Sequence, residues 1–213
     1  MPLTVAGENS EAFICRLEEG LRDSPGVWIL KPADSSNAVG LTVFDSIGAV
    51  REVMDADQGV GMEVKDGMKI EVEKQWVAQK YIENPLLIDG RKFHIRGWVL
   101  ARGSVSVYVH EECMCLVSTQ QFNVSPEDFN NKAMHCTNHH SVQAQVEGYS
   151  FEDNALPLSD LNKHLHRTGR YLDQDPQAII FEQMKHLART SFASVVGSRK
   201  KFFCVDKCFE YFG

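Results

Sequence analysis

The sequence contains no apolar run that approaches the roughly 18 residues needed to cross a bilayer. Its start shows no basic segment followed by an apolar core, which a secretory signal would require. The six cysteines include no C-x-x-C pair and are irregularly spaced, which favours reduced thiols over a disulfide framework. We therefore predict a cytoplasmic protein that has no membrane partner.

Positive charge is also scarce, because 22 lysines and arginines face 29 aspartates and glutamates, for a net charge of -7. This balance argues against a general nucleic-acid binder, so any anion site must be local. The 213 residues allow one domain of fair size or two small lobes. A zinc site at His110, Cys113 and Cys115 is conceivable, but alternating strand residues are the commoner explanation, and we predict no metal ligands within the chain.

Hydrophobic periodicity predicts an α+β protein with hairpins rather than a doubly wound sheet. Helical spacing covers residues 11–22 (with Ser10 as a possible cap), 46–54, 160–170 and 176–196, and a further helix start lies at 125–128. Strand patterns cover 27–30, 41–44, 76–81, 91–100 and 105–110, and the last two should form a hairpin joined by residues 102–104. Residues 55–73 are rich in glycine and charge, which predicts a mobile loop or an insertion.

The helix predicted at 176–196 has the clearest apolar side of any segment. That side consists of Ile179, Ile180, Met184, Leu187, Ala188, Phe192, Val195 and Val196. Such a stripe predicts that the helix packs against the core along its length.

The most informative segment is the alternating strand that contains Lys92, His94 and Arg96. These three side chains fall on one face, and Phe93 and Ile95 fall on the other. Nitrogen donors spaced about 6–7 Å apart over an apolar backing suit a polyanion, of which a nucleoside triphosphate has the right length. The alternative is the solvated outer face of an edge strand, where such residues are common.

Other segments supply candidate ligands for the same anion. Lys31 ends a buried strand and precedes a pliant loop at 33–40, although a surface lysine before a turn is the commoner pattern. At the end of the strand predicted at 76–81, the polar pair Gln79-Lys80 is followed by the apolar pair Tyr81-Ile82. Such a group can hydrogen-bond to the edge of an adenine ring and pack beside it, or it can simply be an exposed strand end. The remaining candidates are Gln79, Lys80, Tyr81, Ile82, Thr137 and Asn138.

Taken together, five motifs resemble those of the tubulin–tyrosine ligase family in order and spacing across nearly the whole chain. The five motifs together are specific to this family, although none would be specific alone. The sequences of two of them resemble those of the tyrosine ligases more than those of the polyglutamylases. The motifs lie at residues 28–32, 79–87, 91–100, 136–139 and 208–213.

The resemblance implies an ATP-grasp-like fold in which two α+β lobes with mixed or antiparallel sheets clamp ATP. We expect residues 1–78 to form a central lobe and residues 79–213 a C-terminal lobe. The family joins an amino acid to a protein carboxylate, which ATP activates as an acyl-phosphate with the help of Mg²⁺. The expected activity is therefore the addition of an amino acid, tyrosine in the first instance, to the acidic C-terminal tail of α-tubulin, near microtubules.

The resemblance also assigns roles around the nucleotide. Lys31 resembles the lysine that contacts the phosphates. Gln79, Lys80 and Ile82, with Tyr81 between them, resemble the hinge that holds adenine.

The expected catalytic residues are Lys92 and Arg96, which resemble the residues that face the phosphates and the reacting carboxylate. Thr137 and Asn138 resemble a pair at the same site, and His94 belongs to the same set of nucleotide ligands. Cations that are fixed before the reaction begins stabilise the charge that develops during phosphoryl transfer.

The chain departs from the family pattern in three places. His94 stands where many members have aspartate, and Cys115 or Leu116 stands where the tyrosine ligases have an arginine. The family's magnesium ligands follow the position of Gly213, so we expect a fragment that is inactive alone. A non-catalytic relative that binds nucleotide or tubulin tails is the alternative.

Overall fold

The computed structural model describes residues 2–8, 11–33, 35, 39–56, 60–65, 68–102, 106–139, 142–169, 173–197 and 209–212. Its α-helices are α1 (Glu11–Asp23), α2 (Ile47–Ala56), α3 (Lys132–His135), α4 (Phe151–Asn154), α5 (Leu158–Arg167) and α6 (Pro176–Gly197), and short 3₁₀ turns lie at Pro126–Asp128 and Gln143–Gln145. Its strands are β1 (Thr4–Glu8), β2 (Trp28–Pro32), β3 (Thr42–Phe44), β4 (Val60–Lys65), β5 (Met68–Glu73), β6 (Gln75–Lys80), β7 (Leu87–Ile88), β8 (Arg91–Arg96), β9 (Val99–Arg102), β10 (Ser106–Val109), β11 (Met114–Gln121), β12 (Ala155–Pro157) and β13 (Phe209–Phe212).

The first sheet has the order β1-β6-β2-β3, and all its neighbours are antiparallel. Helix α1 covers one face because Phe13 and Leu17 recur at helical spacing and are fully buried. They join Trp28, Leu30 and Trp76 in the first core, to which α2 also contributes. Since side chains alternate along a strand, the opposite face of β2 and β6 is free to carry polar residues.

The second sheet has the order β12-β11-β8-β7 and packs on α5 and α6. Its buried face includes Cys115 and Val117 of β11, which meet Leu161 and Leu165 of α5. Burial of Cys115 in this core agrees with a structural thiol. No disulfide or metal ligand is needed to explain it.

A third cluster of apolar side chains joins the two sheets. Val27, Ile29 and Val43 come from the first sheet, and Tyr81 follows β6. Residues of the segment after β11, Phe122 among them, pack against these four. The cluster lies on the face of β2 opposite the first core, so it brings that face close to the second sheet.

Residues 60–73 contradict the predicted loop, because β4 and β5 pair as an antiparallel hairpin from Val60↔Glu73 to Lys65↔Met68. The glycines and charges of this segment obscured its alternation of apolar and polar residues, which has the period of a strand. Residues 66–67, an Asp-Gly pair of the kind that favours hairpins, lie outside the described residues.

Residues 91–100 do not form one strand, which is a second correction. Strand β8 ends at Arg96 and pairs with β11, whereas β9 begins at Val99 and pairs with β10 and β13 in another sheet. The break falls at Gly97, where an added Cβ would overlap the end of the Met184 side chain of α6. The predicted hairpin of β9 and β10 is confirmed, although residues 103–105 are outside the described set.

Helix α6 is confirmed, but its predicted buried side is wrong in part. Ile180 and Met184 pack against the second core, whereas Ile179 and Leu187 remain 39% and 63% exposed. The helix contacts only α5 and β10 strongly, so part of its apolar stripe stays uncovered. The side chains of Val195 and Val196, like the predicted cap Ser10, fall outside the described residues.

The architecture confirms an α+β fold of mainly antiparallel sheets. Among the helices that the structure describes, none combines the length and apolarity needed to cross a membrane. The predicted lobe boundary after residue 78 would fall inside β6, which pairs with β2 as far as Lys80. If two lobes exist, we propose that the division follows Lys80.

Candidate functional site

Strand β8 presents its three cationic or polar side chains on the face that points away from the second core. Phe93 and Ile95 pack in that core, so Lys92, His94 and Arg96 lie on the opposite face. Lys92 is half-buried, and His94 and Arg96 are exposed. The row predicted from the sequence is therefore present, with Lys92 at its buried end.

The ammonium of Lys92 is held by uncharged oxygen atoms. Its Nζ donates to the hydroxyl of Tyr81 at 2.8 Å and to the carbonyl of His135 at 2.9 Å. It also lies 4.7 Å from the centroid of the Tyr81 ring. Burial lowers the pKa of Lys92, and the Lys31 cation acts in the same direction. No carboxylate among the described residues neutralises this ammonium.

Behind Lys92, a buried histidine receives the next hydrogen bond. His135 Nε2 lies 3.1 Å from the carbonyl of Asp128, and Nδ1 lies 3.0 Å from the Tyr81 hydroxyl. A carbonyl can only accept, so we assign the proton to Nε2, and Nδ1 accepts from Tyr81. Burial lowers the pKa of His135, which favours this neutral form.

Lys31 approaches the same space from the first sheet. Its Nζ donates to Gln79 Oε1 at 3.0 Å, and Gln79 Nε2 donates in turn to Thr4 at 3.3 Å. Lys31 is close enough for its charge to lower the pKa values of both Lys92 and Cys136. Although burial raises the pKa of the Cys136 thiol overall, the two lysines oppose that shift.

His94 connects the row to the segment that follows α3. Its Nδ1 lies 2.5 Å from the hydroxyl of buried Thr137. Withdrawal of part of the ring from water lowers the pKa of His94, and the Arg96 charge lowers it further. The carbonyl of Asn138, the next residue, accepts from two backbone amides of the following turn. Thr137 therefore contacts the row directly, and Asn138 is adjacent to it in the sequence.

A fully buried amide fixes that segment against β11. Gln143 Nε2 donates to the carbonyls of Ala133 and Cys136, both at 2.7 Å. Its Oε1 accepts from the amide and the hydroxyl of Thr119, both at 2.8 Å. Every hydrogen-bonding group of the side chain is used, which holds the backbone next to Thr137 in place.

Three of the predicted site residues are not gathered with the rest. Lys80 Nζ is engaged by Glu83 at 2.6 Å and by the carbonyl of Pro25 at 2.8 Å. Ile82 is 61% exposed. Arg96 makes no hydrogen bond or ion pair in the part of the chain that the structure describes. The observed cluster therefore consists of Lys31, Gln79, Tyr81, Lys92, His94 and Thr137, with Asn138 adjacent.

The donor types at this cluster suit a polyanion and do not suit a magnesium ion, which prefers oxygen anions. Within the described residues, no group of three or more His, Cys, Asp or Glu side chains could hold a metal. Three surface cavities of about 520, 530 and 630 Å³ lie elsewhere, the first two beside Trp98 and the third beside His164. The walls of these three cavities, which described residues line, include neither Lys31 nor Lys92, and the chemistry of the cluster marks the site.

No pattern in the sequence assigned a role in the cluster to His135, Cys136 or Gln143, which shape it. His135 and Gln143 contact partners 54 and 24 residues away, so no local pattern marks them. Cys136 was noted only within a motif, yet its charge environment is set by lysines from both sheets. For the predicted members of the cluster, such as Lys31 and Thr137, the suitability of their side chains for one anion and the family resemblance both pointed to a shared site.

A family model for the tubulin–tyrosine ligase family matches residues 8–213. The chain belongs to that family. The two sheets and the cationic row are accordingly parts of an ATP-grasp-like fold.

Several relatives are tubulin-modifying ligases by name. A probable tubulin–tyrosine ligase of Schizosaccharomyces pombe is 30% identical over 141 residues, which are 59% of this chain and 35% of that protein. Tubulin glycylase 3C of Tetrahymena thermophila is 33% identical over 57% of this chain and 10% of its own length. Human tubulin monoglycylase TTLL3 is 32% identical over 63% of this chain and 16% of its own length. The chain thus spans about a third or less of these relatives.

Proposed function

We propose that this chain is the nucleotide-binding part of an ATP-dependent ligase that adds an amino acid to tubulin. The observation that carries the proposal is a set of cations without anionic partners. Lys31 and Lys92 are held by an amide and by neutral oxygens, and Arg96 has no hydrogen bond among the described residues. In a chain of net charge -7, two such cations near each other, with the unpaired Arg96 further along β8, favour a bound polyanion.

The roles of the side chains follow from their positions. Lys31 and Lys92 would bind phosphate oxygens from two sides, and Arg96, further along β8, would reach the outer end of the nucleotide or the acceptor carboxylate. ATP would supply the phosphoryl group that activates that carboxylate. Gln79, Lys80, Tyr81 and Ile82 remain the predicted adenine contacts, and through Tyr81 this segment also touches Lys92.

Mg²⁺ is the usual companion of ATP in phosphoryl transfer. The described residues do not provide a carboxylate set for it, so we assign no step to the metal and no residue as its ligand. The cations of the cluster would stabilise the negative charge of the nucleotide phosphates independently of that ion, since Lys31 and Lys92 already lie near each other.

The amino acid that is added is either glycine or tyrosine. The motif wording predicted tyrosine, and the S. pombe relative is named a tyrosine ligase. The glycylases of Tetrahymena and human favour glycine. Because several relatives are named glycylases, we propose glycine as the first candidate. The acidic tail of tubulin is the proposed acceptor for either amino acid.

The first test is binding of ATP to the purified chain, measured by calorimetry for the wild type and for Lys92→Met. We expect the variant to bind at least tenfold more weakly, because a desolvated ammonium is lost. Lys163→Met, on the exposed side of α5, is the matched control and should bind as the wild type does. Equal affinity of all three proteins, or no binding at all, would contradict the proposal.

The second test is transfer of labelled glycine or tyrosine to tubulin by the chain in its native protein context, with ATP. Incorporation of one amino acid that is lost in Lys92→Met would identify the substrate. ATP binding without transfer of either amino acid would favour the non-catalytic alternative. This alternative is supported by His94, which occupies a position where many family members have aspartate.

A further inference from the structure

We propose that Tyr81 and His135 are positioning residues that hold the ammonium of Lys92 toward the anion site. The inference rests on the proposed nucleotide site and goes beyond it by naming the groups that fix its central cation. A single hydrogen-bond chain carries the argument: Lys92 donates to Tyr81, Tyr81 donates to His135, and His135 donates to the carbonyl of Asp128.

The geometry leaves one N–H donor of the Lys92 ammonium available to bind a ligand. An ammonium has three N–H donors, and here two of them go to the Tyr81 hydroxyl and the His135 carbonyl. The third is left for a ligand, and Lys31 is near enough for its charge to lower the pKa of Lys92. Because both fixed acceptors are neutral, they orient Lys92 without cancelling its charge.

Tyr81 is itself immobilised, which makes it an effective support. It is 7% exposed, and its backbone amide donates to the carbonyl of Val27 at 2.9 Å. Its ring stacks on Phe122 at 6.4 Å and meets the edge of His135 at 5.6 Å. Burial raises the pKa of Tyr81, so the hydroxyl keeps the proton that it donates.

The direction of the chain depends on His135 being neutral. The titratable or charged groups that face its ring are Tyr81, Lys92 and Asp128. If His135 took up a second proton, Nδ1 would become a donor, and the Tyr81 hydroxyl would face donors from both His135 and Lys92. Its own proton would then lose its acceptor, and the imidazolium charge would repel the nearby Lys92 ammonium, which weakens the support of Lys92.

The chain offers a matched pair of tyrosine variants for the binding test. Tyr81→Phe removes one of the two acceptors of Lys92, whereas Tyr149→Phe removes a similar tyrosine–histidine hydrogen bond, 2.6 Å to His139. We expect Tyr81→Phe to weaken ATP binding about tenfold, the effect of one hydrogen bond to a charged group, and Tyr149→Phe to change it less than twofold. Equal affinity of Tyr81→Phe and wild type would overturn the inference.

A pH profile separates positioning from simple structural support. As the pH is lowered through the folded pKa of His135, which burial holds below 6.5, the wild type should lose affinity relative to His135→Gln, whose amide can accept from Tyr81 but takes up no proton. The comparison cancels the protonation of ATP and of His94, since both proteins share these. Parallel profiles down to a pH at which the His135 ring is protonated, as its nuclear magnetic resonance signal shows, would mean that His135 does not govern Lys92.

Nuclear magnetic resonance tests the inference without any nucleotide. Long-range ¹H–¹⁵N spectra of the unliganded chain should show the His135 ring with its proton on Nε2, and the signal should be assigned by its loss in His135→Gln. The ammonium of Lys92 should exchange slowly in the wild type and rapidly in Tyr81→Phe. An Nδ1-protonated ring or a freely exchanging Lys92 refutes the positioning role even if ATP binds. The expected spectra without ATP binding would refute only the proposed function.

Discussion

At the scale of single residues, the site is built from cations that have neutral partners. Lys31 binds an amide oxygen and Lys92 binds a hydroxyl and a carbonyl, so each is oriented but keeps its full charge. An ion pair with a carboxylate would have oriented each lysine equally well, but it would have cancelled the positive charge that attracts an anion. This choice explains how a protein of net charge -7 can keep a local site for an anion.

Two histidines, the buried His135 and the largely exposed His94, make stability depend on pH because folding withdraws all or part of each ring from water. Burial lowers the folded-state pKa values of His94 and His135 from the ordinary value of 6.5. Above pH 6.5 both folded and unfolded chains are neutral at these positions, so the contribution is constant. As the pH falls through 6.5, the unfolded chain binds protons that the folded chain does not, and the free energy of unfolding decreases until the folded pKa values are reached.

Urea unfolding at pH 7.5 and 5.5 measures this effect. The midpoint should fall at pH 5.5 in the wild type, and it should fall less in His135→Gln because the titrating ring is absent. His186→Gln, on the exposed side of α6, should behave as the wild type does. A wild-type midpoint that is higher at pH 5.5 would show that the sign is wrong.

At the scale of elements, the turn before β8 sets the register of the cationic row. Asp89 and Gly90 have φ angles of 48° and 76°, and they join β7 to β8 with Ile88 opposite Arg91. Two successive left-handed residues form the tight hairpin turn for which Asp-Gly is the favoured pair. A slip of one residue would turn Lys92 and Arg96 into the core.

Gly90→Ala should therefore destabilise the protein by about 1–2 kcal/mol, since alanine is strained in the left-handed region. Gly148 provides a control with the same φ of 76°, and a Cβ there would meet nothing within 4 Å. At Gly90 the added Cβ would overlap the side-chain oxygen of Gln121, so Gly90→Ala should cost more than Gly148→Ala in urea unfolding. Equal losses would mean that Gln121 moves away freely and that only backbone strain remains.

The elements also show how far periodicity can predict this fold. Helix α1 and strands β2 and β6 were predicted to within two residues because their buried side chains, such as Phe13 and Trp28, recur at regular spacing. The hairpin at residues 60–73 was missed because glycine and charge outweighed its alternation. The break at Gly97 was missed because it depends on Met184 of α6, which approaches from a distant part of the sequence.

At the scale of the whole molecule, the site lies where two sheets meet. The sequence could show that Lys92 and Arg96 share a face, because that follows from strand geometry alone. It could not show that Lys31 and Tyr81 reach the same space, because that depends on the third apolar cluster. Long-range packing of this kind is specified by the complementarity of many side chains rather than by any local pattern.

The loss of a buried valine should lower the free energy of unfolding by a similar amount in each of the three apolar clusters, but it should loosen different elements. Val50, Val43 and Val117 are all buried valines, in the first cluster, in the cluster that joins the sheets, and in the second cluster, respectively. Replacement of each by alanine should cost about 2 kcal/mol, from the lost burial and the cavity left behind.

Hydrogen exchange followed by mass spectrometry locates where each loss is felt. Val50→Ala should speed exchange mainly in β2 and β6, and Val117→Ala mainly in β8 and β11. Val43→Ala should speed exchange in β2 and also in the segment around Phe122, because the joining cluster supports both. If Val43→Ala affected only the first sheet, the two sheets would open independently, and the approach of Lys31 to Lys92 would need another support.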